Sequence, residues 1–115
     1  MKNKDNTFTF FCDDILGAST KITLTLPEVN ILLLKEAALL NRPEIATPLS
    51  GHEMFIIGEI YDQGLRVTRD IRRAAYWYRR AIEGGERRFA PAALRELQLL
   101  VMFAAYSTPI ATGTR

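Results

Sequence analysis

Cys12 is the only cysteine in the chain, so no disulfide can form within it. Histidine is equally scarce: His52 has no second histidine and no cysteine cluster near it, while metal centres and general bases need convergent partners. Long apolar runs are missing. Ile31 to Leu40 is interrupted by Lys35 and Glu36, Leu97 to Tyr106 is short, and neither reaches the roughly 18 apolar residues of a membrane span. The apolar run from Phe8 to Cys12 is short and ends at Asp13 and Asp14, unlike a secretory leader, so a soluble protein of a reducing cytoplasm is expected. Excess charge of one sign is absent too. Fifteen lysines and arginines face 13 aspartates and glutamates, and the net charge of +2 does not by itself call for a nucleic acid or a membrane surface. No glycine-rich phosphate loop, serine elbow or pair of catalytic carboxylates occurs. Cys12 beside two carboxylates is a poor nucleophile, and Asp13 with Asp14 reads better as a solvated turn than as a metal pair. These absences predict no catalysis, no cofactor and no metal.

What is present is ordinary globular material. The chain has 115 residues, 48% hydrophobic and 24% charged, enough for one domain over 1–115 with one modest core. Thr7 to Phe11 and Lys21 to Leu26 alternate apolar and polar side chains, with Ile22, Leu24 and Leu26 on one face. The intervening Asp13 to Thr20 suits a loop, so 1–27 reads as a β-hairpin that must pack on something to be stable. Thr25, Pro27 and Glu28 form a helix start with a capping box. Val29, Leu32, Leu33, Glu36, Ala37 and Leu40 follow at helical spacing, with Glu36 the polar residue on that face. Pro43 stops this helix, and 28–49 becomes helix plus connector. Ser50 and Glu53 repeat the capping box, Gly64 ends the second helix, Asp70 caps a third, and Ala90-Pro91 opens a fourth. A loose tail is expected over 107–115. The expected class is α+β: an N-terminal hairpin packed on about four helices.

The stretch from Gly58 to Ala81 carries the most specific pattern. Gly58-x-x-Tyr61 is followed by Gly64, then Val67-x-x-Asp70, then Arg73-Ala74-x-x-Trp77-Tyr78-x-Arg80-Ala81, then Gly84-Gly85. Glycine inside a helix costs about 1 kcal/mol relative to alanine, which suggests that Gly58 marks a close helix crossing, with Ala74 and Ala81 as the small residues opposite. Over about residues 50–85 this pattern resembles one Sel1-like repeat, a relative of the tetratricopeptide repeat. The resemblance implies an αα-hairpin that stacks on neighbours and presents a surface to a protein partner, and it extends the Sel1-like helical region to 50–106. In bacteria such repeats also occur in immunity proteins that neutralise secreted toxins. The chain departs from the family at Arg66, where a glycine is usual; a positive φ there would cost an arginine on the order of 1 kcal/mol. It also has one clear unit where repeat arrays need about three, so the unit reads as part of a small domain.

Trp77 and Tyr78 fit either a core or the rim of an interface, since both bury large areas and keep a polar handle. Nine arginines crowd residues 66–95, and Arg72, Arg79 and Arg80 fall near one helix face, opposite the small-residue stripe. Such a face suits a solvated surface paired with Glu83, Glu86 and Glu96, an acidic protein, or phosphates. The final helix is apolar on more than one face through Leu97, Leu99, Leu100, Val101, Met102 and Phe103. It is therefore either covered by the hairpin and the first helix or left to meet a partner or a second copy. The resulting expectation is a non-catalytic protein-binding module, such as an adaptor, inhibitor or immunity-type protein. Tyr61, Arg72, Arg73, Tyr76, Trp77, Tyr78, Arg80 and Leu100 are its candidate contact residues, and a concave face forms near Tyr61, Trp77 and Tyr78. The alternative is a regulatory protein that binds nucleic acid through the arginine-rich face.

Overall fold

The computed structural model describes residues 6–107. Strands β1 (Thr7–Asp13) and β2 (Ser19–Thr25) form an antiparallel hairpin, followed by α1 (Leu26–Asn41), α2 (Gly51–Gln63), α3 (Ile71–Glu83) and α4 (Ala90–Ser107). The class is α+β, as expected. The expected tail lies, from residue 108 onward, outside the described residues.

The hairpin is longer than its alternation suggests, because the pairing continues through Cys12 with Thr20 and Asp13 with Ser19. Asp14 closes the turn tightly enough to allow this. Its Oδ1 accepts hydrogen bonds from the backbone N–H groups of Leu16 and Ala18 at 2.9 and 3.0 Å, an Asx-type turn. Period-two alternation buries Phe8, Phe10, Cys12 and Leu24 on one face and leaves Phe11 exposed on the other.

Both capping boxes form. Thr25 Oγ1 accepts from the N–H of Glu28, and Glu28 Oε1 accepts from the N–H of Thr25. Ser50 and Glu53 reciprocate in the same way, each bond at 3.0 Å. Along α1, Val29 and Glu36 are buried and Leu32, Leu33 and Leu39 are half-buried. The inward stripe centres on Leu32, Glu36 and Leu39, so Ala37 and, on the last turn, Leu40 are exposed, contrary to the expected face.

Helix α2 is the centre of the molecule. Met54 through Tyr61 are buried without interruption, which requires neighbours on every side. Helix α3 packs along α2 as an αα-hairpin, α1 covers another side of α2 and touches β2, and α4 packs on α3 with β1 against it. Gly64 ends α2 in the left-handed conformation at φ 70°, and Arg66 follows in the same region at φ 65°. Asp70 caps α3, its Oδ1 accepting from the N–H of Arg73 at 3.0 Å. Glu86 caps α4 with its carboxylate, which takes the N–H groups of Phe89 and Ala90. It is thus not a surface partner for the arginines.

Gly58 is a point of close approach between α2 and α3. A Cβ there would lie 2.5 Å from Cδ1 and Cε1 of Tyr78 and 3.3 Å from the carbonyl oxygen of Ala74. The crossing is therefore made against Ala74 and the Tyr78 ring. Ala81, expected opposite Gly58, instead brings its carbonyl close to Gly51 at the start of α2.

Candidate functional site

The aromatic candidates converge on one buried carboxylate. Glu36 of α1 accepts a hydrogen bond from the Tyr61 hydroxyl at 2.6 Å, from the Trp77 indole Nε1 at 2.8 Å and from Arg73 Nε at 2.9 Å. The Arg73 guanidinium also lies 4.7 Å from the centroid of the Tyr61 ring. Burial, together with the hydrogen bond to Glu36, pushes the Tyr61 phenol well above its usual range. One side chain thereby ties α1, α2 and α3 together with each of its partners charge-assisted.

This arrangement changes the standing of the candidate residues. Trp77 and Tyr78 are fully buried and Tyr61 nearly so. They form no concave face; they are core residues that hold the helices in place. Tyr78 donates to Asp62 Oδ2 at 3.0 Å from beneath the Gly58 crossing. Arg73 has an exposed side chain, 42% accessible, that is committed to Glu36. Tyr76 is 40% exposed, accepts from Arg80 Nη1 at 2.8 Å and meets Trp77 edge-on. Arg80 lies over the Tyr76 and Trp77 rings and approaches Glu83, so it is engaged within α3. Leu100 stands apart on α4, 45% exposed.

A second buried carboxylate lies where β1, α2 and α4 meet. Glu59 accepts from Gln63 Nε2 at 3.3 Å and from Cys12 Sγ at 3.7 Å. Burial lifts its pKa to about 7 against the Gln63 hydrogen bond, with the charge of Asp62 adding to the rise. Burial and then the Glu59 charge push the Cys12 thiol far above its usual range, so it stays protonated. Asp13, Glu59, Asp62 and Glu96 line a hollow of about 260 Å³ beside Phe11 and Phe89. Among the described residues no group of three or more His, Cys, Asp and Glu side chains is arranged to hold a metal ion.

Two surface features remain. The first is the second half of α4, where Leu99, Leu100, Val101, Met102 and Phe103 are all exposed, Phe103 at 72%. The hairpin reaches only the first half of this helix: Ile15 donates its N–H to the Arg88 carbonyl just before it, and hairpin residues line a hollow with Pro91, Ala92, Arg95 and Glu96. Of the two alternatives for this surface, covering by the hairpin and α1 thus stops short of it. The second is a groove between α3 and α4, about 260 Å³ in volume, lined by the apolar Ile71, Ala75, Leu97 and Val101 and by the polar Arg72, Arg79 and Gln98. Among the described residues neither of these arginines has an ion pair, whereas Arg69, Arg73, Arg80 and Arg88 each approach a carboxylate. The sequence placed Arg72 and Arg79 near one helix face but did not show the groove beside them. The available signal was the spacing of Arg72 and Arg79, seven residues apart on α3, with Ala75 between them.

No described helix is long and apolar enough to cross a membrane. Compared with protein-family models, curated proteins and solved structures, the chain shows no match.

Proposed function

We propose that the chain is a non-catalytic protein-binding module, a small adaptor or inhibitor, which engages its partner through α4 and the adjoining α3–α4 groove. One observation carries this reading: five consecutive apolar residues, Leu99 to Phe103, stay in water on an ordered helix. Leaving them there forgoes roughly 25 cal/mol for each Å² of apolar surface, and patches of this kind commonly mark interaction sites. The buried roles of Tyr61, Trp77 and Tyr78 support the same reading at one remove, because they hold α3 rigid behind the groove. The resemblance of residues 50–85 to a Sel1-like repeat points in the same direction.

A photo-crosslinking side chain placed at Leu100 tests the proposal in cells that make the protein, with the same group at Lys21 on the hairpin as control. The expected result is a protein adduct formed from Leu100 and not from Lys21, which forms again from the two purified components and survives high salt. Adducts to nucleic acid, or a salt-sensitive complex that both positions report equally, would overturn the module reading in favour of phosphate binding by the arginines.

A further inference from the structure

Resting on the reading above, the groove geometry also describes the ligand. We propose that the α3–α4 groove binds an amphipathic helix of a partner protein whose carboxylates, seven residues apart, pair with Arg72 and Arg79.

Residues seven apart on a helix are separated by two turns, about 10.5 Å along the axis, and fall on nearly the same face. Arg72 and Arg79 therefore stand in one row, both exposed and both without a carboxylate among the described residues. A helical ligand lying along α3 repeats its own side chains at the same interval, so two carboxylates seven residues apart meet both guanidinium groups. An extended strand does not match. Its residues on one face recur at about 6.6 and 13 Å, on either side of the required distance.

The lining supplies the second half of the match. Ile71 and Ala75 from α3 and Leu97 and Val101 from α4 give the groove an apolar lining, with Gln98 the one uncharged polar side chain in it. Ala75 is small, which leaves depth for a leucine or methionine of the ligand. A helix with an apolar stripe bordered by acidic residues fits the groove in both respects. A polyanion would use the arginines alone and leave the apolar lining wet. A second copy of this chain docked about a two-fold axis on the groove would bring Arg72 and Arg79 of both copies to the same interface, like charge against like charge.

The test uses the full chain and three labelled synthetic peptides of about three heptads each. All carry the same leucine stripe, with glutamate, glutamine or lysine at the two positions seven apart. Fluorescence anisotropy is measured on the wild type, on the double variant Arg72→Glu with Arg79→Glu, and on Val101→Asp. The expected result is saturable binding of the glutamate peptide by the wild type, weaker by about tenfold or more for the glutamine peptide. The charge-reversed variant should lose the glutamate peptide and gain the lysine peptide, which an unfolded variant would not do. Val101→Asp should weaken all binding.

Equal affinity for the glutamate and glutamine peptides, or no saturable binding, overturns the inference. So does tighter binding of a labelled single-stranded RNA that the arginine reversal abolishes. Sedimentation showing a wild-type dimer, with the arginine reversal monomeric, would assign the groove to a second copy and overturn it as well. If the peptides fail while the crosslink at Leu100 still yields a protein adduct, the module reading stands and only the acidic helix is lost. Failure of both removes both.

Discussion

Glu36 and Trp77, 41 positions apart in sequence, meet at 2.8 Å through the indole N–H, and this bond joins the outer helix α1 to the α2–α3 pair. With Tyr61 and Arg73 completing the coordination of the carboxylate, Glu36 is a buried charge satisfied by three donors. Glu36→Ala would leave all three without their acceptor. The expected loss is about 3–5 kcal/mol, the range for breaking one side of a buried charged network. Glu36→Gln keeps one acceptor oxygen and should lose less. Urea titration followed by Trp77 fluorescence reads both, and an unchanged midpoint in Glu36→Ala would show that the network contributes nothing to stability.

Gly58 sits beneath the Tyr78 ring with no room for a methyl group. Alanine ordinarily stabilises a helix by about 1 kcal/mol over glycine. Here Gly58→Ala should instead destabilise by roughly 1–3 kcal/mol, because the added Cβ forces the ring or the helix aside, and Gly58→Leu should cost more. Thermal denaturation decides the sign. A higher melting temperature for the alanine variant would mean that α2 and α3 are not in close contact there.

Glu59 makes stability depend on pH in a definite direction. Its folded pKa of about 7 lies above the ordinary 4.5, so the folded state holds the proton more tightly than the unfolded chain. The stabilisation is complete below pH 4.5, is lost as pH rises toward 7, and changes little above that. The full loss is about 3 kcal/mol, since each pH unit separating the folded and unfolded values contributes roughly 1.36 kcal/mol. Glu53 works oppositely on the acid side, because its hydrogen bond from Lys35 holds its pKa below the ordinary value. The comparison with Glu59→Gln therefore isolates the Glu59 contribution. The difference in unfolding free energy between the two proteins should move in favour of the glutamine variant between pH 4.5 and 7. Parallel curves would contradict this account of the buried carboxyl.

Arg66 holds a left-handed backbone at φ 65° on an exposed turn. Glycine adopts that conformation without the Cβ clash, so Arg66→Gly should raise stability by roughly 0.5–1 kcal/mol despite the extra freedom it gives the unfolded chain. Guanidinium denaturation is sensitive enough to read a change of this size. A destabilised variant would mean that the Arg66 side chain contributes a contact that outweighs the strain.

The two capping boxes, the Asp70 cap, the left-handed Gly64 and the alternation of the hairpin were all legible in the sequence. Each is decided within about four residues, by a side chain reaching its own backbone or by the period of one element. The strain at Arg66 was legible for the same reason. The identity of the Gly58 partner was not, because Ala74, Tyr78 and Ala81 all lie on the α3 face turned toward α2. Only the crossing angle puts the Tyr78 ring over the glycine. Glu36 was visible as the polar residue on an apolar face, but its donors stand 25 to 41 positions away on other helices. No local rule links them. The same holds for the arginines. By sequence they form one basic crowd. Tertiary packing separates those committed to Glu36, Asp62, Asp14 or Glu83 from Arg72 and Arg79, which stand beside α4 without a carboxylate among the described residues. Local hydrogen bonds and periodicity determined which elements form. Long-range packing alone decided which charges are matched inside the domain and which remain available to a partner.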